Sequence, residues 1–158
     1  MGDKEEIVLT PDGFAELTEE YDRLRTVERR EIADRIRDAI TYGELTENSE
    51  YEDAKNQQAF VEGRIEDLRH ILQVSRVMED EEIPTDVVGL GSLVKVLENT
   101  GEDWEFRVVS PVEADPNRDK ISDESPIGES IFGKPIGTEV IVRAPAGNQT
   151  YKIVSISK

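Results

Sequence analysis

Glu44 and Glu47 stand three apart in the run Tyr42-Gly43-Glu44-Leu45-Thr46-Glu47-Asn48, and Glu50 follows where a second helix should begin. Carboxylates this close together can share a divalent cation. Mg²⁺ takes a few acidic oxygens and completes its shell with water and substrate phosphates. Two carboxylates alone hold such an ion weakly, so the rest of its shell has to come from a partner. A plainer use of the same acids stays open: Glu47 and Glu50 favour the positive end of a helix that starts there. Composition removes several other chemistries. The chain of 158 residues has no cysteine and one histidine, His70, which leaves no disulfide, no thiolate nucleophile and no multi-His metal site. With 36 Asp and Glu against 19 Lys and Arg, the formal net charge is −17. That charge opposes independent binding to DNA or RNA, which needs clustered cations, and opposes an anionic membrane surface. The first residues, Met1 to Leu9, do not resemble a signal peptide, and no apolar run approaches membrane-spanning length. The expectation is a soluble, cytoplasmic protein that is not a conventional hydrolase.

The pattern on either side of the acidic run predicts what holds it out. Thr10 suits a helix N-cap and Pro11 the first helical position. Phe14, Leu17, Tyr21 and Leu24 follow at 3-4-3 spacing, a coiled-coil seam that continues less regularly through Val27, Ile32, Ala33, Ile36 and Ile40. A cleaner seam runs through Tyr51, Ala54, Gln58, Val61, Ile65, Leu68 and Leu72. Gly43 is able to end the first helix. Two helices of about 30 residues at ~1.5 Å per residue predict an antiparallel coiled-coil hairpin reaching roughly 45 Å. Residues 1–82 are read as this hairpin, with an acidic tip near 43–50.

Near Glu81-Glu82-Ile83-Pro84 the composition changes: one of the seven prolines precedes that point and six follow it, counting Pro84. Beyond it, 93–97, 104–109, 138–142 and 151–156 read as strands. Gly101, Asp115-Pro116-Asn117 and Pro145-Ala146-Gly147-Asn148 are turn signals, and Ser125 can cap a short helix ending at Gly133. Residues 83–158 therefore predict a small α+β domain, and the chain as a whole is α+β.

The run from Gly43-Glu44-Leu45-Thr46-Glu47-Asn48-Ser49-Glu50-Tyr51 through Ala59-Phe60-Val61-Glu62-Gly63-Arg64-Ile65 resembles the tip signature of the Gre transcript-cleavage factors, nearer their GreA-like branch. The second half carries a matching signature in Ile121-Ser122-Asp123-Glu124-Ser125-Pro126-Ile127-Gly128 and Gly133-Lys134-Pro135-Ile136-Gly137-Thr138-Glu139-Val140. With Leu9-Thr10-Pro11-Asp12-Gly13, three matches in order cover nearly the whole chain. The resemblance implies an FKBP-like fold for residues 83–158, docking on bacterial RNA polymerase, and insertion of the coiled-coil tip through its secondary channel. It further implies stimulation of the polymerase's intrinsic Mg-dependent cleavage of backtracked RNA. On this reading the factor is not itself an enzyme, has no cofactor of its own and shares Mg²⁺ with the polymerase active site. It meets the backtracked RNA 3′ end only through the polymerase.

Residue by residue, the resemblance assigns Glu44 and Glu47 as the groups that assist the polymerase active site and help hold Mg²⁺ in the complex. Glu44 stands where the family usually has Asp, which moves its carboxylate about one methylene outward; a misplacement near 1 Å can cost about 10²-fold in rate. Thr46 and Asn48 belong to the tip loop, where a hydroxyl can bond a neighbouring group. Lys55 matches a basic position that meets the extruded RNA, and Arg37 stands in for a base that the family often has where this chain has Ile40. Both also read as ordinary solvated side chains. Arg23, Arg25, Arg29, Arg30, Arg35 and Arg37 interleave with acids, which fits pairing within the helix as well as RNA contact. Ser122, Ser125, Pro126, Ile127 and Gly128 are candidates for a segment that docks on polymerase or defines the fold. Tyr51 reads as seam packing, and Trp104 and Phe106 as core.

Two further readings compete. A Gre-like protein can occupy the secondary channel as an inhibitor without cleavage activity, although the Glu-x-x-Glu spacing here is ordinary. A prolyl isomerase would need an aromatic-lined pocket, for which residues 81–158 offer Trp104, Phe106, Phe132 and Tyr151.

Overall fold

The computed structural model describes residues 6–42 and 48–158. Its backbone packs as two compact units: Phe14–Val74, and Ser75–Lys158 together with Met1–Gly13.

In the first unit, α1 (Pro11–Arg23) runs into a π-helical turn (Leu24–Glu28), then α2 (Arg29–Tyr42), and α3 (Ser49–Val74) packs back along them. α3 buries Ala54, Val61, Ile65 and Leu68, and Tyr51, Gln58 and Leu72 are half-buried, so every position of its expected seam faces inward. The other arm differs from expectation. Leu17, Leu24, Ile32 and Ala39 are buried, whereas Val27 and Ile40 are 39% and 50% exposed and Ala33 is exposed. The cause is the π turn: the Arg29 N–H bonds the Leu24 carbonyl, five residues back. The wider turn takes up one extra residue. Half-buried Glu28 therefore follows Leu24 on the inner face, Ile32 follows Glu28, and Val27 rotates outward.

In the second unit, β1 (Ile7–Leu9) pairs in parallel with β2 (Ser75–Val77), Ile7 opposite Ser75. The segments that enter and leave the helices thus belong to this unit, so the packing divides at 13/14 and 74/75 while the composition changes near 83. A five-stranded mixed sheet follows in the order β5-β4-β3-β7-β6. Its strands are β3 (Leu93–Glu98), β4 (Asp103–Val109), β5 (Lys120–Ser122), β6 (Glu139–Ala144) and β7 (Gly147–Ser157), with α4 (Pro126–Ile131) between β5 and β6. β3, β4, β6 and β7 are the strands that alternation predicts. β5 runs parallel to β4, Val108 opposite Ile121. The inner residues Val94, Val96, Phe106 and Val108, which alternate, and Ile153 and Ile156, which lie either side of a register shift between β3 and β7, meet Ile127 and Ile131 of α4 in one cluster. Trp104 lies against Phe106, ring centroids 4.6 Å apart, and its indole N–H donates to Asp119 Oδ1 at 3.0 Å. These aromatic residues are core.

One side chain that the sequence reading missed ties β1 and the start of α1 to the sheet unit. Glu113, 7% exposed, accepts hydrogen bonds from the Thr10 N–H at 3.0 Å and the Thr10 hydroxyl at 2.7 Å. Thr10 Oγ1 in turn accepts from the Gly13 N–H at 3.0 Å, the expected N-cap. A Cβ on Gly13 would lie 2.1 Å from the Glu113 carboxyl carbon. The Leu9-Thr10-Pro11-Asp12-Gly13 motif is thus a cap built to admit a buried carboxylate.

Candidate functional site

Glu44, Thr46 and Glu47 lie outside the described residues. The structure does describe how the tip joins the helices. Asn48 donates from Nδ2 to the Ala39 carbonyl of α2 at 2.6 Å, and its Oδ1 accepts from the Tyr51 N–H at 3.1 Å. One amide therefore caps α3 with its oxygen and clasps α2 with its NH2 group, a pairing that an ionised Asp, which only accepts, could not make. Next to it, Arg35 reaches across the hairpin to Glu50 at 3.2 Å and to Gln57 Oε1 at 2.7 Å. Glu50 is thereby engaged in holding the two helices together.

Five other arginines of the hairpin divide between two kinds of partner. Arg25 pairs with Asp22 at 3.4 Å and stacks over Tyr21 at 4.5 Å, Arg23 meets Glu28 at 3.6 Å, and Arg37 pairs with Asp34. Arg29 instead forms a two-pronged bridge across the hairpin to Glu62, at 2.9 and 2.8 Å. Arg64 makes the same bridge to Glu20, at 2.8 and 3.0 Å, and this pair is part-buried. Its hydrogen bonds hold the Glu20 carboxyl below the usual carboxylate range. The cross-helix bridges escape a reading confined to i,i+3 and i,i+4 spacing, since their partners are 33 and 44 residues apart.

Lys55 and Arg37 are both exposed. Lys55 donates to Gln58 Oε1 at 3.1 Å, one turn along. Each lies within about two helical turns of the tip, Lys55 after the start of α3 and Arg37 before the end of α2. Among the described residues, no group of three or more His, Cys, Asp or Glu side chains is placed to hold a metal ion. None of the described helices is long and apolar enough to cross a membrane.

In the second unit the segment Ser122–Gly128 forms a tight turn into α4. Ser125 is the N-cap: its hydroxyl donates to the Ser122 carbonyl at 2.6 Å and accepts from the Gly128 N–H at 3.2 Å. Ser122 Oγ accepts from the Glu124 N–H at 3.0 Å. Ile127 is buried in the core, and a Cβ on Gly128 would lie 2.0 Å from the Ser122 carbonyl oxygen. Ser125, Ile127 and Gly128 therefore define the fold here, while Pro126, Glu124 and Glu129 are exposed. Asp123, between the two serines, has a buried Oδ1 with no hydrogen-bond partner, and burial pushes its carboxyl upward. The sequence carries no signal for that, because an Asp in a turn is ordinarily solvated.

The family model for the N-terminal region of transcription elongation factors matches residues 7–77, and the model for the GreA/GreB C-terminal region matches residues 83–158. The chain is 49% identical over 159 residues to transcription elongation factor GreA of Syntrophomonas wolfei, covering 100% of both chains. It is 46% identical to the GreA of Acetivibrio thermocellus, again covering 100% of both. Among solved structures, GreA factor homolog 1 of Thermus thermophilus is 30% identical, with 98% of this chain and 100% of that one covered and a TM-score of 0.45.

Proposed function

The chain belongs to the GreA/GreB family of transcription elongation factors, and from that premise we propose that it binds bacterial RNA polymerase, inserts the tip of its hairpin through the secondary channel and stimulates cleavage of backtracked RNA. The observation that carries this reading is the match of both family models, in order, to a chain whose first unit is an antiparallel helical hairpin. The protein is not itself an enzyme and brings no cofactor; the polymerase breaks the phosphodiester bond. It works in the cytoplasm, with the polymerase.

The donor set at the tip suits a shared ion. Glu44 and Glu47 offer hard carboxylate oxygens of the kind Mg²⁺ takes, and two of them leave most of the shell to the polymerase. Bound there, the ion supplies an activated water and charge neutralisation for hydrolysis. The chain's own contribution is position. The bridges Arg29–Glu62, Arg64–Glu20 and Arg35–Glu50 brace the hairpin, and the Asn48 clasp fixes where the tip enters α3. Lys55 and Arg37 are exposed cations near the tip whose local partners an RNA phosphate can displace. Docking of the second unit falls to the exposed surface around Pro126.

The test is RNA cleavage in a purified backtracked elongation complex with Mg²⁺. Addition of the protein is expected to give shortened transcripts that can be re-extended. The Glu44→Ala/Glu47→Ala double variant is expected to bind polymerase without this effect. Binding that slows synthesis with no cleavage would instead make the protein a channel inhibitor.

A further inference from the structure

Phe60 is 75% exposed on α3, the largest exposure among the described large apolar side chains. Its neighbour Val61 fills the seam, so helix phase turns Phe60 outward and the hairpin has no means of covering it. A single exposed apolar side chain is common on protein surfaces. The residue one turn on makes this one unusual. Gly63 sits in the interior of a 26-residue helix, where glycine is a poorer choice than alanine. A Cβ built there meets nothing within 4 Å, so the chain's own packing gives no reason for glycine. A bulky apolar group thus stands beside bare backbone on the outer face, and neither serves the fold.

The surrounding charge indicates the kind of partner. Asp53 and Asp67 flank Phe60 at seven-residue spacing on the same line of the helix, and Glu52 and Glu66 lie alongside; all are exposed. The nearest cation along the helix, Arg64, is turned to Glu20. An acidic rim repels a phosphate backbone and matches a surface edged with Lys or Arg. We propose that Phe60 and Gly63 form a docking point on the outer face of the hairpin: Phe60 enters an apolar socket edged with basic side chains on RNA polymerase, whose backbone passes close over Gly63. This rests on the reading of the chain as a polymerase-binding factor.

The full chain is titrated against cognate core polymerase, and its thermal midpoint is measured alone. Phe60→Ala is expected to weaken binding by about tenfold or more. Gly63→Ala is expected to raise the midpoint by about 2–4 °C while weakening binding by a similar factor, opposite signs that a purely structural role does not produce. Gln73→Ala, exposed on the same helix, is the control and changes neither. With p-benzoylphenylalanine in place of Phe60, photo-crosslinking is expected to capture a polymerase subunit. Wild-type binding with Phe60→Ala and Gly63→Ala unchanged overturns this inference alone, as does a crosslink to RNA or to a second copy of the chain. Absence of binding by the wild-type chain overturns the functional reading and this inference with it.

Discussion

Burial in the hairpin runs in two single files, Leu17, Leu24, Ile32 and Ala39 on one arm and Ala54, Val61, Ile65 and Leu68 on the other, with ion pairs reaching across on the outside. Burial in the sheet unit is three-dimensional: ten residues from four strands, α4 and the loop before β3 form one closed cluster that includes Phe106. A file of this kind gives each turn of helix little apolar contact, so charge pairs and register carry more of the specificity. A closed cluster gains most from shape and tolerates no missing atom. Reach and rigidity thus come from different physics in one chain, and variants can separate the two.

Phe106→Ala should have the largest effect, about 3–5 kcal/mol, because its ring is 1% exposed. Guanidinium unfolding followed by Trp104 fluorescence should show it, with far-UV circular dichroism reporting the helices. If both signals shift together, the two units unfold as one and the distinction fails. Leu68→Ala, at 0% exposure, should cost about 2–4 kcal/mol and act mainly on the circular dichroism transition. Its counterpart Val27→Ala should stay within about 0.5 kcal/mol; a seam-sized loss there would break the shifted register. Gly128→Ala forces a methyl against the Ser122 carbonyl and should cost about 1–3 kcal/mol, read through Trp104.

The smallest effect is the most selective. Glu20 has its pKa lowered by Arg64, so its contribution is present above the ordinary carboxylate value of 4.5 and is lost as pH falls below it. Asp123 has its pKa raised by burial, so its contribution is present below 3.8 and is lost as pH rises through the raised value. Acidification should therefore weaken the hairpin while relieving the turn before α4, each by about 1 kcal/mol or less. Glu20→Gln should flatten the first dependence and Asp123→Asn the second, in denaturation midpoints measured across pH 3–7.

The most legible element was α3, because a strict alternation of threes and fours has one helical solution and all seven seam residues obey it. The four long strands and the Ser125 cap were legible for the same reason, each being a local pattern with a local cause. The three-residue strands β1, β2 and β5 were not, since three residues are too few to display a period of two. Glu113 could not be found from its neighbours, because its partner Thr10 is 103 residues away. At the candidate site, residue types identified the acids and bases near the tip, and the resemblance gave them roles. The clasp by Asn48, the cross-helix bridges and the orphaned oxygen of Asp123 depend on what the chain brings close in space.

The π turn has a consequence for how this chain can change length. It stores one residue more than the rise of the helix requires, so it works as a local slack in an otherwise rigid rod. Removing one residue between Leu24 and Glu28 would let the turn relax to an ordinary α-helix, with Leu24 and the following seam residues still on one face. The same deletion anywhere in α3 would rotate every later seam position by about 100°. The two arms are thus unequal in the insertions and deletions they can absorb, and drift in length among related chains should collect at that one turn.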